Sequence, residues 1–268
     1  MHHNFYKHGV RCLYSLPDES GKEPTSEGQR PRDKRFVITW EINRFVGLLI
    51  AIAFLAALRT AHAQDATWLL TPGSGDWNTA ANWTPATVPT GTVTFGSSNT
   101  TSIGISLNIS IGKMLFNAGA PAYSFVWTFH FHDITGTGIV NNSSNQPSFT
   151  NNGGLIDFFN TSTAGNATIM NNTVEDLSGE TFFFNTSTAG NATITNNVGG
   201  GETRFFDSST ASNATITNNF GGLTLFTENA SAATATITTN YGGETDFSDT
   251  ATGAKPGSSP AVFSTFRV

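Results

Sequence analysis

The chain of 268 residues contains little cysteine and little charge. Its single cysteine is Cys12, and charged residues make up 12% of the sequence. From residue 64 onward there are 13 acidic and 4 basic residues, a net charge of −9, and no cysteine. That part of the chain can therefore form no disulfide bond and must depend on its packed core. It also lacks the basic surface that a nucleic-acid partner requires.

Signals for helices and for common catalytic sites are missing as well. Between Leu155 and Phe247 no apolar spacing of 3.6 residues occurs, and Asn, Thr, Gly and Phe are poor helix formers. The sequence shows no Ser-His-Asp set, cysteine nucleophile or phosphate-binding glycine loop. We therefore expect an all-β chain without cofactor or metal.

One long apolar run is present, from Phe45 to Leu58. Basic residues precede it, and Ala61-His62-Ala63 follows it, which is the pattern of a secretory signal with cleavage between Ala63 and Gln64. The run is too short for a comfortable permanent membrane anchor. Residues 1–63 are thus predicted to be an extended N-region and signal peptide; a start nearer Val37 is the alternative. No stable transmembrane helix is expected in the mature chain.

A sequence motif of about fifteen residues occurs four times in the second half of the chain. It reads FFNTSTAGNATIMNN, FFNTSTAGNATITNN, FFDSSTASNATITNN and FTENASAATATITTN, beginning at Phe158, Phe183, Phe205 and Phe226. Self-similarity at such a period is typical of a solenoid, because one short unit cannot bury its apolar face alone. Glycine and asparagine pairs mark the corners, since both residues tolerate positive φ.

These repeats predict a parallel β-solenoid over residues 101–250. Alternation in Ala-Thr-Ile-Thr places Ala and Ile on one face and Thr on the other. We expect two inner columns, Ile169, Ile194, Ile216 and Ile237, and Phe159, Phe184 and Phe206. At one corner, Asn172, Asn197, Asn219 and Asn240 fall in register, either as a hydrogen-bonded amide ladder or for turn geometry alone.

The flanking segments are less regular. Residues 64–100 contain Trp68, Trp77 and Trp83 and are predicted to cap the first turn, with sugar stacking as the alternative role for these rings. His130 and His132 would share one strand face beside Asp133, but a metal site needs a third, distant ligand. Residues 251–268 are expected to be an irregular tail.

Three phrases resemble the passenger region of Gram-negative autotransporters, particularly rhizobial-type ones. They are SGDWNTAANWTPATVPTGTVTFG, GIVNNSSNQPSFTNN and FNTSTAGNATITNN, beginning at Ser74, Gly138 and Phe184. The resemblance implies a right-handed single-stranded parallel β-helix, passage through the periplasm, outer-membrane export machinery, and display at the surface or release. The sequence after Phe247 cannot supply the family's C-terminal translocator barrel, so a passenger without its translocator is expected.

Two functions follow from these observations. A structural or adhesive passenger is favoured; a β-helical polysaccharide lyase or hydrolase is the alternative, and it would need clustered acids beside a basic residue. Glu180, Glu202 and Glu244 recur in Gly-Glu-Thr, with Arg204 the one basic residue of the repeats, and such recurrence indicates a structural role on the solvated face.

The outward threonines of the repeats form a candidate binding face. They are Thr193, Thr195, Thr215, Thr217, Thr236 and Thr238. A flat, regular array of methyl and hydroxyl groups suits a repetitive ligand, such as a polysaccharide, a host surface, a sibling solenoid or ice. Alternatively, threonine is present because it is a good strand former.

Overall fold

The computed structural model describes residues 63–254 and 264–265. The predicted signal run and most of the predicted tail lie outside the described residues. Within these ranges, one 3-10 helix, Ala80–Asn82, accompanies 20 strands. The first strands are β1 Ala66–Trp68, β2 Trp83–Thr84, β3 Thr92–Phe95, β4 Ser102–Gly104, β5 Ile109–Phe116, β6 Ser124–Thr128, β7 Phe131–Asn141, β8 Ser148–Asn152, β9 Leu155–Phe158 and β10 Thr168–Asn172.

The second half continues the same succession of short strands. These are β11 Glu180–Phe183, β12 Thr193–Asn196, β13 Glu202–Phe205, β14 Thr215–Asn218, β15 Leu223–Phe226, β16 Ser231–Ala233, β17 Thr236–Thr239, β18 Glu244–Phe247, β19 Thr252–Ala254 and β20 Ser264–Thr265. Each four-residue strand covers one side of a turn, and glycine or asparagine at positive φ makes several of the corners.

The strands stack in parallel into a β-solenoid of about seven turns, which confirms the predicted fold class. Ten strands form sheet A, in the order β18-β15-β13-β11-β9-β7-β5-β3-β1-β2, and eight form sheet B, in the order β20-β17-β14-β12-β10-β8-β6-β4. Isolated parallel bridges that join Thr163, Thr188, Thr210 and Ser231 make a narrow third side, which the β16–β19 pair continues.

Parallel pairing begins earlier than residue 101, because Ala66 of β1 already lies beside Val93 of β3. At the end of sheet A, β2 pairs antiparallel with β1. Trp68, Trp77 and Trp83 are at most 2% exposed and pack with Phe95 in a cluster of tilted and edge-on rings. These buried rings form the apolar core at the N-terminal end of the solenoid. Because they are buried, the alternative that they stack on sugars is wrong.

The isoleucine column lies inside the solenoid as predicted. Ile169, Ile194, Ile216 and Ile237 pair in register and are all 0% exposed. Each buried side chain of this kind contributes on the order of 1.5–3 kcal/mol relative to exposure. Alanines from the third side and from the residues before β10, β12, β14 and β17 fill the remaining inner space.

The predicted phenylalanine column is wrong by one residue. The inner column is Phe158, Phe183, Phe205 and Phe226, all 0% exposed, with ring centroids 4.6–4.8 Å apart. Phe159, Phe184 and Phe206 stack in a second, half-buried column outside. The reason is alternation: β11 points Thr181 and Phe183 inward, so Phe184 must face outward.

Two asparagine ladders run along the solenoid. In the outer one, each amide of Asn172, Asn197, Asn219 and Asn240 donates to the preceding turn at 2.6–3.2 Å, which confirms the predicted ladder. The inner ladder was not anticipated; it joins Asn151, Asn171, Asn196 and Asn218. Hydroxyls of Thr181, Thr203 and Thr224 donate to its amide oxygens at 2.8–2.9 Å, so these buried oxygens have hydrogen-bond partners.

Candidate binding faces of the solenoid

The outer surface of sheet B carries the predicted threonine array. Strand pairing aligns Thr193, Thr215 and Thr236 in one column, and Thr195, Thr217 and Thr238 in the next. The first three are exposed and the second three are half-buried, so all six side chains face outward. We call these six residues the Thr face.

None of the six hydroxyls of the Thr face has a hydrogen-bond partner within residues 63–254. Elsewhere, threonine hydroxyls contribute to the turns: Thr186 donates to the Asn160 carbonyl at 3.0 Å, and Thr227 to the Phe205 carbonyl at 3.4 Å. The hydroxyls of the Thr face are therefore available to solvent or a ligand. In the preceding turn Thr168 continues the first column, whereas Met170 interrupts the second.

Polar amides border the Thr face on both sides. Asn197 and its ladder partners follow the strands and form a third outward column. On the other side, the amide of Asn213 donates to the Asn191 side chain at 3.2 Å, and the Thr234 hydroxyl donates to Asn213. Hydrogen bonds along the axis join the turns at both borders.

Beyond the outer asparagine ladder lies an exposed apolar corner. Val198, Phe220 and Tyr241 occupy the same place in successive turns and are 63%, 58% and 62% exposed. We call these three residues the apolar ridge. The sequence analysis missed it, although the signal is present: each residue follows an asparagine and precedes a glycine pair.

Sheet A gathers carboxylates on its outer surface. Asp133 and Asp157 are direct partners on β7 and β9, and Glu180 lies on the next strand, β11. Burial, together with the neighbouring carboxylates of Asp133 and Glu180, raises the pKa of Asp157 to about 7. Burial also raises the pKa of Asp133 and of Glu180. We call Asp133, Asp157 and Glu180 the acid cluster.

The recurring glutamates differ in their surroundings. Glu180, Glu202 and Glu244 occupy one column, which Leu223 interrupts as the sequence indicates. Glu202 is not on the solvated face as predicted, since it is only 7% exposed. Arg204 covers it, donating from Nε and Nη2 at 2.6 and 2.9 Å, and the guanidinium lies 5.3 Å from the centre of the Phe182 ring.

The two histidines do not share a face. His130 precedes β7 and lines an outer groove with Asp76, whereas His132 is 3% exposed, with its ring centroid 4.5 Å from that of Trp127. Burial, and secondarily His130, lowers the pKa of His132 to about 3. The described residues contain no group of three or more His, Cys, Asp or Glu able to hold a metal ion.

The predicted cleavage position lies at the start of the described chain. Ala63 and Gln64 are exposed. The Gln64 carbonyl accepts hydrogen bonds from the backbone of Thr90 and Gly91 at 3.0 and 2.9 Å, and its side chain accepts one from Thr87 at 2.6 Å. Gln64 is thus the first residue here that is tied to the solenoid by hydrogen bonds on both its backbone and its side chain.

The chain matches no family model, no curated protein and no solved structure. Within the described ranges, no helix has the length and apolar character needed to cross a membrane. What can be said of function therefore rests on the surfaces of the solenoid.

Proposed function

We propose that this chain is an exported passenger of the autotransporter type, displayed at the surface of a Gram-negative bacterium or secreted after passage through the periplasm. Its role is structural or adhesive rather than catalytic. Support comes from the β-solenoid fold, which the resemblance in sequence led us to expect, and from the absence of cysteine after residue 63, which allows folding without disulfide formation.

The Thr face carries the adhesive part of this proposal. Its hydroxyls make no hydrogen bond to the protein within residues 63–254, so they remain available to a ligand. Rungs about 4.8 Å apart repeat the same methyl and hydroxyl groups, and a ligand with its own repeat can make the same contact several times. The ligand classes that fit are a polysaccharide, a host-cell surface or a second solenoid.

Replacing both Thr215 and Thr217 with lysine tests the Thr face. Both side chains point outward, so the solenoid should keep its fold, while charge and bulk disrupt the flat face. We expect reduced binding to host cells or polysaccharide, with an unchanged melting temperature. A matched control places two lysines at Thr161 and Ser208, which are exposed at another corner. Equal binding by the Thr215/Thr217 variant, its control and the unaltered chain would assign the array a structural role only.

Export has a separate test. The mature protein recovered from outside the cytoplasm should begin at Gln64, because the pattern Ala61-His62-Ala63 predicts cleavage after Ala63. Once the new amino group forms, it can still donate to the Thr90 hydroxyl, which accepts the Gln64 N–H at 3.0 Å. N-terminal sequencing decides the point; a mature start upstream of Phe45 rejects it.

The acid cluster favours a second candidate, a carbohydrate-active enzyme. Asp157 has a pKa of about 7, so near neutrality it exists in both protonation states, as a general acid or base requires. Asp133 lies beside it on the neighbouring rung. If this candidate is correct, the chain should release reducing ends or unsaturated products from acidic or neutral polysaccharides, and Asp157→Asn should abolish that release. No product from any polysaccharide rejects the enzyme.

A further inference from the structure

The apolar ridge is an ordered feature and not a scatter of exposed side chains. Single exposed apolar residues are normal, but a contiguous apolar surface marks an interaction site. Val198, Phe220 and Tyr241 follow one another in three successive turns, and the Phe220 and Tyr241 rings lie 6.2 Å apart at an interplanar angle of 29°. The ring of Phe220 rests on Gly242, where any added Cβ would collide with it.

The fold leaves most of this surface exposed. Phe220 remains 58% exposed and Tyr241 62% exposed, although the inner phenylalanines of the same turns are completely buried. The preceding asparagine and the following glycine pair make the turn itself. The two rings therefore offer flat apolar surface to a partner.

The outer asparagine ladder adds hydrogen-bonding groups beside the ridge. Each amide nitrogen carries two hydrogens. Asn197 donates one of them to Asn172, and Asn219 donates one to Asn197, at 2.6 and 3.2 Å. Within residues 63–254 these nitrogens have no other acceptor, so the second N–H of each remains available. Ridge and ladder together present flat apolar surface next to a row of donors and acceptors.

The charge of the surroundings restricts the class of partner. Val198, Phe220, Tyr241 and the four ladder asparagines carry no charge, while residues 64–268 have a net charge of −9. Like charges disfavour the binding of a polyanion to such a chain, and they also weaken its association with a second copy. A neutral polysaccharide has the complementary chemistry: its pyranose rings have apolar faces that pack on aromatic rings, and its hydroxyls both donate and accept.

We propose that the apolar ridge and the outer asparagine ladder form a binding site for a neutral polysaccharide chain that lies along the solenoid axis. This inference rests on the proposed adhesive function and names its ligand class. The Thr face, immediately beyond the ladder, adds two columns of hydroxyl groups to this surface. Contact is made turn by turn, so affinity arises from several equivalent weak subsites.

Retention of the purified full chain on insoluble cellulose, curdlan and mannan tests the proposal, with polygalacturonate as the polyanionic comparison. The unaltered chain should bind at least one neutral polysaccharide and not polygalacturonate. A Phe220→Ser/Tyr241→Ser variant should bind roughly tenfold or more weakly, because two stacking rings are lost. The control is Leu70→Ser/Leu107→Ser, which removes two side chains of similar exposure, 63% and 60%, elsewhere on the surface.

The outcomes separate this site from the general function. Undiminished binding by the ridge variant overturns the proposal, and so does failure of the unaltered chain to bind any neutral polysaccharide. If sedimentation shows that the chain self-associates and the ridge variant dissociates, the occupant is a second copy and the proposal is overturned. In each of these cases the proposed adhesive function is judged by its own tests. It still stands if the mature chain begins at Gln64 and the Thr215/Thr217 lysine variant loses binding to host cells.

Discussion

The inner asparagine ladder predicts a large difference between two neighbouring alanine substitutions. Asn196 is 0% exposed, while Asn197, the next residue, lies half-buried in the outer ladder. The Asn196 amide nitrogen donates to the Asn218 side chain and the Leu223 carbonyl at 2.7 and 2.8 Å. Its oxygen accepts from Asn171 and Thr203, both at 2.9 Å.

Asn196→Ala removes these four hydrogen bonds, and a longer fifth one of 3.3 Å from the same nitrogen to the Thr224 hydroxyl, in a closed core where water cannot replace them. At about 1 kcal/mol for each of the four shorter bonds, the free energy of unfolding should fall by about 4 kcal/mol. The loss includes the cost of leaving the Leu223 carbonyl without its side-chain donor. Asn197→Ala removes one donated and one accepted bond, at 2.6 and 3.2 Å, where solvent can substitute. Its cost should be at most about 1 kcal/mol.

Urea unfolding of both variants, followed by circular dichroism, measures the difference. The slope of the free energy of unfolding against urea concentration should be the same for the two variants and the unaltered chain. Equal slopes show that all three expose the same amount of surface on unfolding. The rate of amide hydrogen exchange at Asn171 and Asn218 should rise in Asn196→Ala and stay unchanged in Asn197→Ala. If the two variants lost equal stability, the inner ladder would be no better shielded from water than the outer one, and the reasoning would fail.

Sequence periodicity was sufficient to predict the solenoid and much of its core. Four copies of Ala-Thr-Ile in phase determine which residues stack, because a turn can bury its apolar side only against its neighbours. The same phase predicts the inner ladder: if Ile194 points inward, then Asn196, two residues later, must also point inward. The inner ladder was nevertheless not predicted, since the adjacent corner asparagine, Asn197, recurs with the same period.

Other features depend on where each strand ends, which local pattern does not determine. In the pair Phe183-Phe184 both residues are equally apolar, and only the end of β11 decides that Phe183 is inside. The partnership of Asp133 with Asp157 depends on the register of β7 and β9, which lie before the regular repeats begin. His132 follows the same rule, since alternation along β7 buries it while His130 falls outside the strand.

Three further predictions follow from burial. Ile194→Asp should cost several kcal/mol because it places a carboxyl group in the apolar column, while Thr193→Asp should be mild; equal melting losses would reverse the assignment of faces. Ser187→Ala should raise the free energy of unfolding by about 1 kcal/mol, because the Ser187 hydroxyl is buried without a partner, and a loss in urea unfolding would contradict this. The third prediction concerns pH. The unfolded chain protonates His132 near pH 6.5, but in the folded state its pKa is about 3, so stability should fall as pH drops from 6.5 toward 3. Asp157 acts oppositely: its pKa rises from 3.8 to about 7 on folding, so stability is lost as pH increases between these values. The two slopes oppose each other in the unaltered chain, and single variants separate them. Between pH 3.8 and 6.5 the free energy of unfolding should therefore fall with rising pH in His132→Phe and rise with pH in Asp157→Asn, as urea unfolding at several pH values can measure. Unchanged pH profiles would show that neither group is buried in the charge state assigned to it.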